Sequence, residues 1–331
     1  MKRNHWISVL GLVLLLLLLW RTDLHQVGQS LRELSLTTLV VLLSLQAANR
    51  MLVAYQWQHL AGINHRRVTL MQMVRMNLVG TFFEGVTPSV KFGGEAVKVW
   101  WFKEHLGWSG TEATSLLILQ KSISGLVFGA MCAVTLISLM LHPLQGRLIS
   151  SLFPIDAHFG TTLPWVVLLL TVVLLFWGIS KLKTTRGIGQ WVRQTWQRFI
   201  SDTAALLQHP AKGMQQLVLS LIIWGNYALQ AWVAAKGLGI PAGFLTVAAA
   251  TYMAYMAGMI PLFPGGAGTF EGAMILVLTG YGIAVHQALA LTLVVRTLTF
   301  WLVFGVSALA MLFFWLADRC RAVTHPTGIG R

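Results

Sequence analysis

Acidic residues are scarce in this chain: 10 Asp and Glu stand among 331 residues, against 24 Lys and Arg, and charged residues of both signs make up only 10%. So little charge excludes an ordinary soluble globule, in which about a quarter of the residues are charged. Cysteine is nearly absent. Cys132 and Cys320 cannot make a disulfide framework and read as packing and tail residues. No H-E-x-x-H or Walker-type sequence occurs, and the glycine-rich breaks fall inside apolar runs, unlike a dinucleotide fingerprint. The chain is therefore expected to be no enzyme and to hold no metal or cofactor.

What is abundant is hydrocarbon. Hydrophobic residues reach 56% and the mean hydropathy is +0.70, values of a polytopic membrane protein. The excess of basic residues then follows the positive-inside bias of membrane loops, and no nucleic-acid partner is expected.

About 20 apolar residues cross the hydrocarbon layer, and six runs meet that need: 4–20, 36–55 with Arg50 inside, 113–141 with Lys121, 163–180, 214–235 and 284–316 with Arg296. The first follows Lys2 and Arg3, but "WRTDLHQ" offers no small-residue cleavage site, so it is expected to remain as an anchor. Two further apolar regions, near 70–101 and 244–280, are broken by Pro and Gly.

Those two regions are related. Pro88 and Pro264, Glu95 and Glu271, and "LVFG" at Leu126–Gly129 and Leu302–Gly305 all recur at an offset of 176 residues, while Lys121 and Arg296 miss that register by one place. An internal repeat is expected, with units at 68–141 and 244–316. Loop charge gives their relative sense. Sixteen Lys and Arg fall on one side and four on the other only if the 70–101 region enters and leaves from the cytoplasmic face. The second region then enters from outside. The expected fold is a single all-α polytopic transmembrane domain spanning 1–331. It is an inverted repeat with two re-entrant, broken-helix hairpins, about six full spans and both termini cytoplasmic.

Irregular backbone cannot face lipid, so "TPSVKFGGE" and "FPGGAGTFEG" must be buried or line a wet cavity. Pro88 and Pro264 stop the preceding helices. Gly93, Gly94, Gly265, Gly266 and Gly268 permit positive φ and close approach, and Thr269 is placed to cap the next half-helix. Free N–H groups at such a terminus suit a phosphate or carboxylate. Equally, the glycines serve packing, and Glu95 and Glu271 sit in first helical turns where an acid favours the dipole.

Seven charged residues fall at membrane depth: Arg50, Glu84, Lys91, Glu95, Lys121, Glu271 and Arg296. Each costs roughly 2.5–3.5 kcal/mol at a helix centre unless it is paired or hydrated. The repeat suggests pairing Glu95 with Lys121 and Glu271 with Arg296. Arg50 and Glu84 are either functional or snorkel toward an interface. Lys91 is an anion contact or reaches cytoplasmic head groups.

"VTPSVKFGGEAVKVW", "PLFPGGAGTFEGAMILVLTGYGI" and "ALALTLVVRTLTFWLVFG" together resemble the lysylphosphatidylglycerol synthase transmembrane-region family, the flippase-like part of the bacterial multiple peptide resistance factor. The resemblance runs from about residue 10 to 316. The second motif, Pro261, Pro264, Gly265, Gly266, Gly268 and Glu271 with Arg296 beyond, is the specific one. The first departs from the family's pattern, with Lys91 and Lys121 where relatives commonly carry Arg and no acid across Ser122–Gly125. No soluble aminoacyl-transferase domain is expected, since the sequence stops soon after Leu316. The resemblance implies movement of a lipid or lipid-linked molecule between leaflets of a bacterial cytoplasmic membrane.

One more stretch, "QWVRQTWQRFISDTAALL", spaces Trp191, Trp196 and Phe199 near one helical face, with Arg193 and Arg198 elsewhere. It reads as an interfacial helix over about 187–208, the alternative being a solvated helix docked on loops.

The functional expectation is transport of an amphiphile with an anionic head group. Lys91, Lys121, Arg296 and the glycine N–H groups hold that head group, and Glu95 and Glu271 pair with the cations or exchange protons. Membrane lipids are the expected partners. The alternatives are a membrane-embedded lipid-modifying transferase and a non-catalytic subunit of a lipid-synthesis enzyme.

Overall fold

A computed structural model of the chain describes Gln29, Arg32 and residues 34–63, 67–87, 92–140, 186–259 and 266–324. Helices are its regular elements: α1 (Leu36–Ile63), α2 (Leu70–Val86), α3 (Phe92–Leu106), α4 (Gly110–Met140), α5 (Arg186–Gln208), α6 (Pro210–Gly237), α7 (Phe244–Gly258), α8 (Thr269–Gly280) and α9 (Val285–Arg296). A π-helical turn, Thr297–Trp301, joins α9 to α10 (Leu302–Thr324).

Four of these runs are long and apolar enough to cross a membrane: Leu36–Gly62, Gly110–Ser138, Pro210–Gly237 and Val285–Phe314. At 27 to 30 residues they measure ~40–45 Å, more than the ~30 Å of hydrocarbon. The expected spans at 4–20 and 163–180 lie outside the described residues. By contrast α2, α3, α7 and α8 hold 17, 15, 15 and 12 residues, or ~18–25 Å, too short to cross alone.

Local sequence sets these boundaries. Thr69 and Gln72 form a reciprocal capping box at the start of α2, and Ser109 and Glu112 do the same for α4, at 3.0 and 3.2 Å. Pro210 opens α6, where its missing N–H costs nothing.

The short helices pair as two hairpins, α2 with α3 and α7 with α8, and glycines set how closely the arms approach. A side chain at Gly94 would strike the Gly80 carbonyl and Glu84, and one at Gly266 would strike the Gly258 backbone. In a bilayer helices gain little from the hydrophobic effect, so such close approach carries much of their association. Each hairpin is followed by a long helix that crosses to the other unit. Phe304 of α10 stacks on Phe82 of α2, with centroids 5.7 Å apart, while Phe128 of α4 meets Tyr252 of α7 edge to face at 6.1 Å. The two "LVFG" phenylalanines thus make reciprocal contacts.

α5 lies against α4. Asp202, 3% exposed, accepts the Ser115 hydroxyl at 2.5 Å, and Arg198 bridges to Glu112 at 3.1 Å. Trp191 and Trp196 remain exposed. Phe199, half-buried, keeps its ring 5.4 Å from that of Trp196, as the spacing leads one to expect, and also packs on the cluster that joins α1 to α4.

Candidate functional site

A cavity of about 220 Å³ opens between α1, both hairpins, α4, α6 and the π turn. Its wall is polar and charged within an otherwise apolar bundle: Arg50, Glu84, Lys98, Lys121 and Arg296 line it, with Gln56, Asn77, Thr81, Gln120, Ser124 and Thr299. Aromatic rings complete the lining, among them Trp57, Trp224, Tyr227, Tyr255, Phe270 and Phe300.

Glu271 links helix end to site. Its Oε2 accepts the Gly268 N–H at 2.7 Å and its Oε1 accepts Arg296 Nε at 2.7 Å. One carboxylate therefore satisfies an orphan donor at the start of α8 and neutralises a guanidinium in the following span. The Arg296 guanidinium also sits over the rings of Phe270 and Phe300, at 4.8 and 4.6 Å from their centroids. Such a cage fixes a cation that hydrocarbon would reject. The expected cap, Thr269, does not act as one. Gly268, at φ +82°, occupies the cap position, a conformation that glycine adopts freely, and the Thr269 hydroxyl instead donates to the Gly266 carbonyl at 3.0 Å.

The first unit repeats this plan with an addition. Glu95 Oε1 accepts Lys121 at 2.6 Å and Lys98 at 3.1 Å, and Lys98 also reaches Glu84 at 3.3 Å. Lys98 belongs by sequence to the cytoplasmic loop charges, but the structure buries it at 6% exposure. Its stem lies across Gly80, where any Cβ would collide with it. A spacing of three from Glu95 on one helix was the available signal.

The π turn accounts for the one-place mismatch between the units. Leu126 follows Lys121 by five positions, while Leu302 follows Arg296 by six. A π turn accommodates one residue more than the α ladder, so both bases face a hairpin acid while both "LVFG" segments keep their cross contacts.

Of the residues singled out in sequence, Arg50, Glu84, Lys121, Gly266 and Arg296 line the cavity, and Glu95 and Glu271 stand behind it, bonded to lining bases. Gly93, Gly94, Gly268 and Thr269 shape the hairpins and are not among the lining residues. Pro88, Lys91, Pro264 and Gly265 lie outside the described residues. Sequence gives no sign of the amides, which carry no charge: Gln56 donates to Ser220 at 2.7 Å and accepts from Gln120 at 3.2 Å, so both polar atoms of Gln56 are bonded, while Gln120 Oε1 is buried without a partner among the described residues.

A model of the lysylphosphatidylglycerol synthase TM region matches residues 6–307. The chain belongs to that family. It is 25% identical to a UPF0104 membrane protein of Methanothermobacter thermautotrophicus over 72% of this chain and 74% of the relative. It is 21% identical to a UPF0104 membrane protein of Pyrococcus horikoshii over 91% of this chain and 94% of the relative. The protein is thus an integral membrane protein of a lipid-related family, and the cavity is the natural place to look for what family members share.

Proposed function

We propose that the protein moves a lipid, or a lipid-linked amphiphile with an anionic head group, between the leaflets of the cytoplasmic membrane, without altering it chemically. The observation that carries this reading is a cavity inside an apolar bundle in which bases from three elements face two hairpin acids. Charge at that depth is costly unless it serves a polar guest or its own partners. Lys121 is suited to exchange one for the other, since its side chain is 47% exposed. An incoming head group replaces the carboxylate at the ammonium, and departure restores the pair.

In this reading both hairpins re-enter the membrane, from opposite faces, and the termini are cytoplasmic. Broken helices meeting near the midplane are a recurring transporter plan, in which rocking of one repeat against the other exposes the site alternately to each side. The head group occupies the cavity while the acyl chains stay among the helices and surrounding lipid.

The test is a leaflet assay on the full chain reconstituted in liposomes with a trace of tail-labelled phosphatidylglycerol. A membrane-impermeant reductant bleaches only the outer leaflet of protein-free vesicles. Wild-type vesicles are expected to bleach to completion, and vesicles with Glu271→Gln or Arg296→Gln to behave as protein-free ones, with helicity and elution profile kept. Full bleaching by both variants would remove the paired charges from the mechanism, and wild-type vesicles that bleach like protein-free ones would end the transport reading.

A further inference from the structure

The charges around the cavity do not balance, and the imbalance has an address. Among the described residues its bases are Arg50, Lys98, Lys121 and Arg296, while the acids beside it are Glu84, Glu95 and Glu271. Each acid is engaged by Lys98, Lys121 or Arg296. Arg50 has no carboxylate within bonding distance among the described residues. It lies in the middle of α1, a helix that crosses the membrane, where an uncompensated guanidinium is expensive.

Neutral groups hold this side chain in place. Nη2 donates to the Tyr227 hydroxyl and to the Thr299 carbonyl, both at 3.4 Å. With the Gln46 amide oriented so that its oxygen faces Arg50, that oxygen accepts from Nη2 and Nε at 3.2 Å, and its nitrogen donates to Gln230 at 2.9 Å. Nη1 has no acceptor among the described residues. Both its protons are left for something that enters the cavity.

We infer that Arg50 is the anion receptor of this cavity and that its ligand is a singly charged phosphate group, that of a phosphodiester lipid. This rests on the transport reading for the source of the ligand. Nη1 offers two N–H donors to phosphate oxygens from a guanidinium that keeps its full charge, and one negative charge cancels the single excess positive charge. The Tyr227 hydroxyl accepts from Arg50, so its own proton remains to support the same oxyanion. Lys121 and Arg296, the bases favoured by sequence, start out paired with Glu95 and Glu271, so Arg50 receives the head group first and the exchange at Lys121 follows it.

Binding in detergent, where there are no leaflets, tests this apart from transport. The purified full chain is titrated by native mass spectrometry with phosphatidylglycerol and with diacylglycerol of the same acyl chains, in the presence and absence of inorganic phosphate. The wild type is expected to prefer phosphatidylglycerol, Arg50→Gln to weaken that binding about ten-fold or more while leaving diacylglycerol unchanged, and Arg50→Lys to retain part of the preference. An Arg50→Gln protein that keeps the helicity and melting temperature of the wild type and still prefers phosphatidylglycerol as strongly would overturn the assignment. Equal retention of phosphatidylglycerol and diacylglycerol by the wild type would overturn it too. Displacement of the lipid by millimolar inorganic phosphate would make Arg50 a soluble-anion site and overturn the lipid source. Binding as expected in a protein that fails the leaflet assay would leave Arg50 standing and remove transport.

Discussion

Glu95 and Glu271 carry the site at the scale of single residues, and both stand out in the sequence for a simple reason: a carboxylate directly after a glycine pair, or five residues past a Pro-Gly-Gly break, inside an apolar run, needs a partner. Their partners Lys121 and Arg296 are legible on the same ground. Lys98 is not, because a lysine at the end of an apolar run reads as a loop charge; only the close approach of α3 to Gly80 draws it inward. Glu95 Oε1 receives two ammonium groups while Oε2 is buried without a donor among the described residues, so removing either lysine leaves the carboxylate poorly compensated. Lys98→Met strips one cation from Glu84 and Glu95 together. The expected loss is about 3–5 kcal/mol, the usual cost of orphaning a buried charge. It should appear as a lower melting temperature in detergent and be partly recovered in Lys98→Met with Glu84→Gln. A melting curve identical to wild type would show that the triad contributes nothing to stability.

At the scale of elements, proline and glycine make the two hairpins legible in the sequence, since helices cannot continue through "TPSVKFGGE" or "FPGGAGTFEG". Spacing favours the Thr269 hydroxyl as the cap of α8, whereas positive φ at Gly268 moves the helix start one residue earlier and gives the capping task to Glu271. The π turn was likewise hidden, although its trace lay in the one-place slip between Lys121 and Arg296. That turn allows a direct test. Deleting Thr297 removes the extra residue and turns Arg296 by ~100° relative to Leu302 and the segment beyond. The pair with Glu271 and the contact of Phe304 on Phe82 then cannot both persist. Lipid movement in the leaflet assay is expected to fall to the protein-free rate with helicity by circular dichroism unchanged, and retention of movement would show that the π turn is incidental.

Across the whole molecule, the cavity draws on elements far apart in sequence. Gln46 and Arg50 come from α1, Tyr227 from α6, Thr299 from the π turn, and Lys121 from the helix that packs on the opposite hairpin. Composition and run lengths gave the membrane class and four of the crossing helices, because those properties are local. The amide network and the aromatic wall were not legible, since neutral polar side chains in a long apolar helix look alike whether they face lipid or a neighbour. The most direct test of the account is the density inside the cavity when the full chain is imaged in nanodiscs containing phosphatidylglycerol and a neutral lipid. A phosphate between Arg50 and Tyr227, with acyl chains passing outward among the helices, is the predicted result; a water-filled cavity with every lipid confined to the outer ring would contradict it.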